Sequence, residues 1–376
     1  MDENFLFENN NTVPELFSEE EYIPTEKNPF CNYSENSSYK ESYSDVIPTF
    51  FFRNNQLSLK PSRYESAKLR YFYNLCGTIL ISGTFVKTII FLVFYAIVLM
   101  HTCSQYNSIN STAGFFRQFI SNPSIRYSLL SIATIISALF IFKTGCRFSK
   151  LRTCSFFRNN HSAKTSEIIS FFMTGIFITS IYNVIYLAKP FIPEMLTVSR
   201  PVFSTDILQS LLFFMYTCLV VPVCEGFVFR GFILKNMSRA DQRFGIIFTS
   251  FLCAISCGNF LEIIPGFMMS LLLCKITTKY GTLSYPIIMH ITINICNTII
   301  LAYGDIFFNS NIFVLQIWTA ITFMSGGFFA IYSFFKEPLP KSTKPQRKRS
   351  VKLILRTVTI LPLIVLYIFL MSANTL

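Results

Sequence analysis

The feature that most constrains this chain is a series of apolar blocks, most of them as long as a helix that crosses a bilayer. Such a helix needs about 20 consecutive, mainly apolar residues. Only 14% of the 376 residues are charged, against about 25% in soluble domains, so an ordinary soluble domain is excluded. We predict an all-α, polytopic integral membrane protein with eight or nine transmembrane helices, at approximately residues 77–100, 127–142, 166–188, 207–223 (with a polar continuation to 236), 244–260, 264–279, 282–302, 312–335 and 353–370.

The charges divide the chain into segments of different character. Residues 1–50 contain eleven Asp and Glu but only two Lys, and they lack the apolar periodicity that would offset the conformational entropy of folding. We predict that this part is disordered and available to a cytoplasmic partner. The predicted organisation is an acidic cytoplasmic tail over 1–60, N-terminal membrane helices over 61–202, core helices over 203–302, and C-terminal membrane helices over 303–376 that include a basic cytoplasmic loop at 336–356.

The basic residues predict the orientation of the helices, because loops rich in Lys and Arg stay in the cytoplasm. Alternate loops hold 24 Lys and Arg on one side and four on the other. This distribution predicts a multi-pass protein with a cytoplasmic N-terminus. The basic run from Lys341 to Arg356 is interpreted as a stop-transfer anchor that contacts anionic lipids, rather than as a nucleic-acid site.

Ionisable residues inside apolar blocks are candidate functional residues, because a charge in the bilayer is costly. Glu225, Arg230 and His290 are the three whose positions have no simpler explanation. Three others lie close enough to block ends to be solvated: Glu167, Asp206 and Glu262. Lys87 lies in the middle of a block, but its long side chain can extend to the membrane surface or face another helix.

The segment from Val221 to Gly231 resembles the first motif of the CPBP family, which contains the type II CAAX prenyl endopeptidases and the Abi-type bacteriocin-processing membrane proteins. That motif is a Pro, then Glu-Glu, three residues usually ending in Phe, and Arg-Gly. The chain matches it at Pro222, Glu225, Phe229, Arg230 and Gly231. The resemblance spans about residues 203–302. We expect its polar cavity to open toward the cytoplasm, because Arg230 is close to the basic loop from Lys235 to Arg243.

A second segment, from Ser284 to Asn294, resembles the closing motif of the same family, a His followed four residues later by an Asn. The resemblance implies an intramembrane endopeptidase that acts on a membrane-proximal or prenylated protein. It further implies that Glu225 is the base that activates a water, and that His290 and Asn294 hold the oxyanion. Residues four apart share a helix face, so both side chains can donate to one oxygen.

Two positions depart from the family pattern. Gly226 stands where the second Glu is expected, and Cys257 stands where a water-activating His is expected. In an α-helix residues five apart point about 140° from one another, so Arg230 has no acceptor on its own face. We predict that it finds one in Glu225 through a distorted helix, in carbonyls at a neighbouring helix end, or in a lipid or substrate carboxylate. Cys257 is a possible substitute nucleophile.

Other functions stay open at this stage. A protein with half of the expected site is also consistent with a catalytically inactive pseudoprotease that binds or chaperones membrane partners. Intramembrane Glu, Arg and His are typical of small-solute transporters as well. The expected partners are membrane lipids and a membrane-protein or lipidated-peptide substrate, with no nucleic acid. With three His in the chain and no Cys/His run of zinc spacing, we predict no metal and no cofactor.

Overall fold

A computed structural model describes residues 63–105, 109–151, 156–157, 163–188, 206–307, 312–336, 338–340 and 342–375. The acidic tail predicted over 1–60 lies outside these residues. Within them the fold is helical, with eleven helices: α1 (Arg63–Gln105), α2 (Ile109–Ser121), α3 (Pro123–Ser149), α4 (Thr165–Leu187), α5 (Ile207–Met237), α6 (Gln242–Ser256), α7 (Ile263–Tyr280), α8 (Ser284–Phe307), α9 (Ile312–Lys336), α10 (Lys344–Leu355) and α11 (Ile360–Thr375).

Seven helices in the described part of the chain are long and apolar enough to cross a membrane: α1, α3, α4, α5, α7 (with the 3-10 turn before it), α8 and α9. The helices α10 and α11 meet at a bend of 74°, and they would form an eighth spanning segment if the two together count as one. These helices confirm the prediction of a polytopic helical membrane protein. The predicted block at 244–260 is the exception, since α6 has only 15 residues. The orientation of the protein in the membrane stays a prediction.

The basic segment predicted as a loop is partly helical. Residues Lys344–Leu355 form α10, and the last apolar helix begins at Ile360 rather than near 353. Asn74 on α1 fixes the bend between α10 and α11, since its side-chain oxygen accepts from the backbone N–H of Val358 at 2.9 Å.

Of the three apolar clusters among the described residues, the two largest hold most of the helices together. In one of them α5, α6 and α11 meet around Phe232, Leu252 and Leu363, all fully buried. In the other α7 packs on α8 around Leu273 and Ile293. Burial of each such side chain contributes about 1.5–3 kcal/mol. Helix α5 is thereby held against its neighbours on several sides, which places its polar residues in the interior.

Candidate active site

Helix α5 is not a regular α-helix. Residues Tyr216–Val220 and Gly226–Ile233 are in π-helical conformation, with one α-helical turn, Val221–Glu225, between them. The N–H of Val221 donates to the carbonyl of Tyr216, five residues before it. Stretches of π-helix are rare and often occur at functional sites. The sequence motif therefore lies on a distorted part of the helix.

Pro222 gives a local reason for the first distortion. It has no N–H, so the carbonyl five residues before it, that of Thr217, receives no hydrogen bond from this position. The side-chain amide of Asn294 on α8 donates to that carbonyl instead, at 3.0 Å. Asn294, predicted to hold an oxyanion, is therefore also a structural donor that joins α8 to α5. One N–H of its amide group is used in this bond, and a second remains.

The second π-helical stretch brings Glu225 and Arg230 together. Bonding between residues five apart rotates their side chains toward one face, whereas an α-helix would keep them about 140° apart. Arg230 Nη2 lies 3.8 Å from Glu225 Oε2. Of the three acceptors predicted for Arg230, the described structure contains the first, Glu225 through a distorted helix.

The Arg230 guanidinium is almost fully enclosed, with 1% of its side chain exposed. Its Nε and Nη1 atoms have no hydrogen-bond partner among the described residues. A buried donor without a partner costs about 1–3 kcal/mol, and more when it is charged. The geometry therefore leaves two cationic donors next to Glu225, suited to a carboxylate or a carbonyl oxygen.

His290 approaches the same carboxylate from α8. Its Nδ1 atom lies 4.0 Å from Glu225 Oε2 and has no hydrogen-bond partner among the described residues. His290 is buried, whereas 22% of the Glu225 side chain is exposed. At 4.0 Å the two groups are beyond direct hydrogen bonding. Distances of this kind in a ligand-free site can shorten when substrate binds.

Two cysteines at the end of α6 complete the surroundings of Glu225. Cys253 Sγ lies 4.0 Å from Glu225 Oε2. Cys257, the predicted substitute, is exposed, and its thiol donates to the carbonyl of Cys253 at 3.4 Å. Sequence reasoning missed the contact of Cys253 with Glu225, although a spacing of four on α6 would have placed both thiols on the same side.

The described geometry brings residues of one sequence motif next to residues of the other. Residues 207–296 match the family described as type II CAAX prenyl endopeptidase Rce1-like. This region is similar to the Rce1-like family. The match covers about a quarter of the chain and includes both motifs that carry the resemblance to the CPBP family. Among curated proteins and solved structures, nothing matches the chain.

Within the matched region, the packing of α5 against α8 leaves no room for a side chain at residue 226, which the sequence did not reveal. A Cβ atom at this position would lie 2.5 Å from Cγ1 of Ile287 on α8. That distance is too short for any real contact, so Ile287 occupies the space into which a side chain at 226 would extend. The loss of the second Glu is thus coupled to the close approach of α5 and α8.

The ionisable residues assigned to block ends have partners of their own. Glu167 accepts from the hydroxyl of Tyr280 at 2.6 Å and pairs with Lys279 at 3.0 Å. Glu262 accepts from the side chain of Asn259 at 3.3 Å. In the part of the chain that the structure describes, no three His, Cys, Asp or Glu side chains converge to hold a metal. The expectation that the Rce1-like region needs no metal or cofactor stays a prediction.

Proposed function

We propose that this protein is a CAAX-protease-type membrane endopeptidase that cleaves a membrane-proximal or prenylated protein. The observation that supports the proposal most directly is the position of Glu225. Its carboxylate lies 3.8 Å from Arg230 and 4.0 Å from His290, within the segment that matches the family. A carboxylate that is partly accessible and adjoins two buried nitrogen-bearing side chains has the composition of a hydrolytic site.

In the proposed reaction Glu225 takes a proton from water while the water oxygen bonds to the scissile carbonyl carbon. The negative charge that develops on the carbonyl oxygen is held by His290 and by the remaining amide N–H of Asn294. When the C–N bond breaks, Glu225 returns the proton to the leaving amine. Loss of one oxyanion donor typically costs a factor of about 10² to 10³ in rate.

Arg230 has two tasks in this proposal. Its Nη2 atom orients Glu225, and its buried, unpartnered Nε and Nη1 atoms would bind an acceptor on the substrate once the neighbouring helices move apart to admit it. A carboxylate at the end of the cleaved chain, or a peptide carbonyl near the scissile bond, has the matching chemistry. The surroundings of Arg230 thus favour a polar segment of substrate next to Glu225.

A second candidate, a pseudoprotease that binds membrane partners without cleaving them, is favoured by a different observation. The position of the second family Glu is closed by Ile287, and the position of the water-activating His is a cysteine. A site of this kind can retain substrate affinity while losing hydrolysis. The third candidate, a small-solute transporter, has only the intramembrane charges in its favour.

One experiment separates the three. The full chain, reconstituted in lipid vesicles, is incubated with a fluorogenic prenylated peptide, and both cleavage and peptide binding are measured. Endopeptidase activity predicts cleavage by wild type, none by Glu225→Gln, and near-normal cleavage by the matched control Glu262→Gln. Binding without cleavage in all three proteins supports the pseudoprotease. Solute uptake by the same vesicles, without peptide binding, supports transport.

A further inference from the structure

Helix α10 runs in a different direction from α11, the apolar helix that follows it. It meets α11 at a bend of 74°, and if α11 crosses the membrane, α10 must turn toward the membrane plane. Its residues Leu353 and Ile354 are buried in the apolar core that α5 and α6 share. Asn74 holds the bend from α1. The position of α10 is therefore fixed on one side and open on the other.

The open side of α10 combines basic and apolar residues. Lys348, Val351, Lys352 and Leu355 are exposed, and their spacing of three and four places them on one helix face. Leu355 has 64% of its side chain exposed. An exposed face that alternates Lys with Val and Leu is typical of a helix lying in a membrane interface, with the apolar side chains among the lipids and the ammonium groups at the headgroups.

The charge of α10 is of one sign. Its twelve residues include five Lys and Arg and no Asp or Glu. Just before the helix, the hydroxyl of Ser342 donates to Asp241 at 2.5 Å, and Asp241 also caps α6 by accepting from the N–H of Arg243. These contacts fix the start of the segment and leave Lys348 and Lys352 facing outward.

We propose that the exposed face of α10 binds the phosphate headgroups of anionic lipids in the adjoining leaflet. The apolar residues on the same face select a bilayer over a soluble polyanion. This site is separate from Glu225 and does not depend on whether the protein hydrolyses peptides.

The test uses the full chain, purified in a neutral detergent and titrated with short-chain phosphatidylserine or phosphatidylcholine, with affinity read by microscale thermophoresis. We expect tighter binding of phosphatidylserine. The pair Lys348→Gln with Lys352→Gln should weaken that binding by about 30-fold, from a typical contribution per basic residue near a charged membrane. The control, Arg117→Gln with Arg126→Gln, removes two exposed charges that the charge distribution assigns to the opposite side of the membrane and should leave it unchanged.

Two further measurements distinguish lipid binding from the binding of a soluble anion and from unfolding of the variants. Leu355→Ser should weaken binding of the lipid but not the weak binding of inorganic phosphate, and the unfolding midpoint of every variant shows whether it is folded. Equal affinity for the two lipids, or equal loss in the control with Arg117 and Arg126 replaced, overturns the proposal. Binding of a short RNA or of inorganic phosphate as tight as that of phosphatidylserine overturns it as well, because a soluble polyanion would then be the occupant.

Discussion

The side-chain amide of Asn294 donates to the carbonyl of Thr217 across 3.0 Å. Pro222, five residues after Thr217, has no N–H that could donate to this carbonyl. This bond joins the two family motifs through the backbone of α5. It means that Asn294 has a structural role whether or not it also stabilises an oxyanion. Loss of stability and loss of activity in Asn294 variants must therefore be separated.

A substitution at Pro222 separates the structural role of Asn294 from a catalytic one. We expect Asn294→Ala to lower the free energy of unfolding by about 1–3 kcal/mol, because it leaves a buried carbonyl without a donor. In a Pro222→Ala background the backbone supplies an N–H, so the same substitution should cost clearly less. The measurement is a double-mutant cycle on unfolding in detergent. Additive costs would contradict the proposed relation between Pro222 and Asn294, while cleavage lost in all Asn294 variants would support a catalytic role beside it.

The ion pair of Glu225 with Arg230 gives a second prediction. Glu225→Ala leaves a guanidinium buried without a counter-charge, and breaking a buried pair on one side typically costs about 3–5 kcal/mol. The double variant Glu225→Ala with Arg230→Met removes both charges and should be more stable than Glu225→Ala alone. Glu167→Ala is the control, since its pair with Lys279 is partly exposed and should contribute about 0–1 kcal/mol. If the double variant were the least stable of the three, the pair would not be the origin of the cost.

The packing at Gly226 predicts how the family pattern can be restored. Gly226→Glu alone should destabilise the protein, because its side chain would meet Ile287. Adding Ile287→Ala should recover most of that stability. The triple variant with Cys257→His then contains the second Glu and the water-activating His of the family pattern, and we expect it to cleave the prenylated reporter faster than wild type. A Gly226→Glu protein as stable as wild type would contradict the proposed steric conflict.

The two cysteines near Glu225 differ in accessibility and predict a labelling pattern. In a background with Cys31, Cys103 and Cys154 replaced by Ser, N-ethylmaleimide should modify Cys257, which is exposed, and leave Cys253 unmodified, since it is buried. A charged, membrane-impermeant thiol reagent added first should block the reaction if water reaches this site. Mass spectrometry of digested protein identifies the modified residue, and Cys257→Ser is the control. Modification of Cys253 in place of Cys257 would contradict the described geometry.

Sequence patterns predicted much of the fold but only part of the site. Apolar block length identifies most of the spanning helices, because it follows directly from bilayer thickness. The cost of a buried charge predicted that Arg230 would recruit an acceptor, and Glu225 was among those named. The donor that satisfies the carbonyl of Thr217 is the side chain of Asn294, which lies 77 residues away in sequence. Likewise, Gly226 is explained by Ile287 on another helix. Neither relation has a local signal, since each arises from helix packing.

The shortness of α6 has a consequence for the membrane around it. Its 15 residues rise about 22 Å, while the hydrocarbon layer is about 30 Å thick. If α6 begins at one surface of the hydrocarbon layer, the turn after it, from Cys257 to Asn259, ends within that layer. Polar groups at such a depth require protein or water partners, and the side chain of Asn259 has one in Glu262. The short α6 thus places a polar turn inside the bilayer on the side of the protein on which Cys253 meets Glu225.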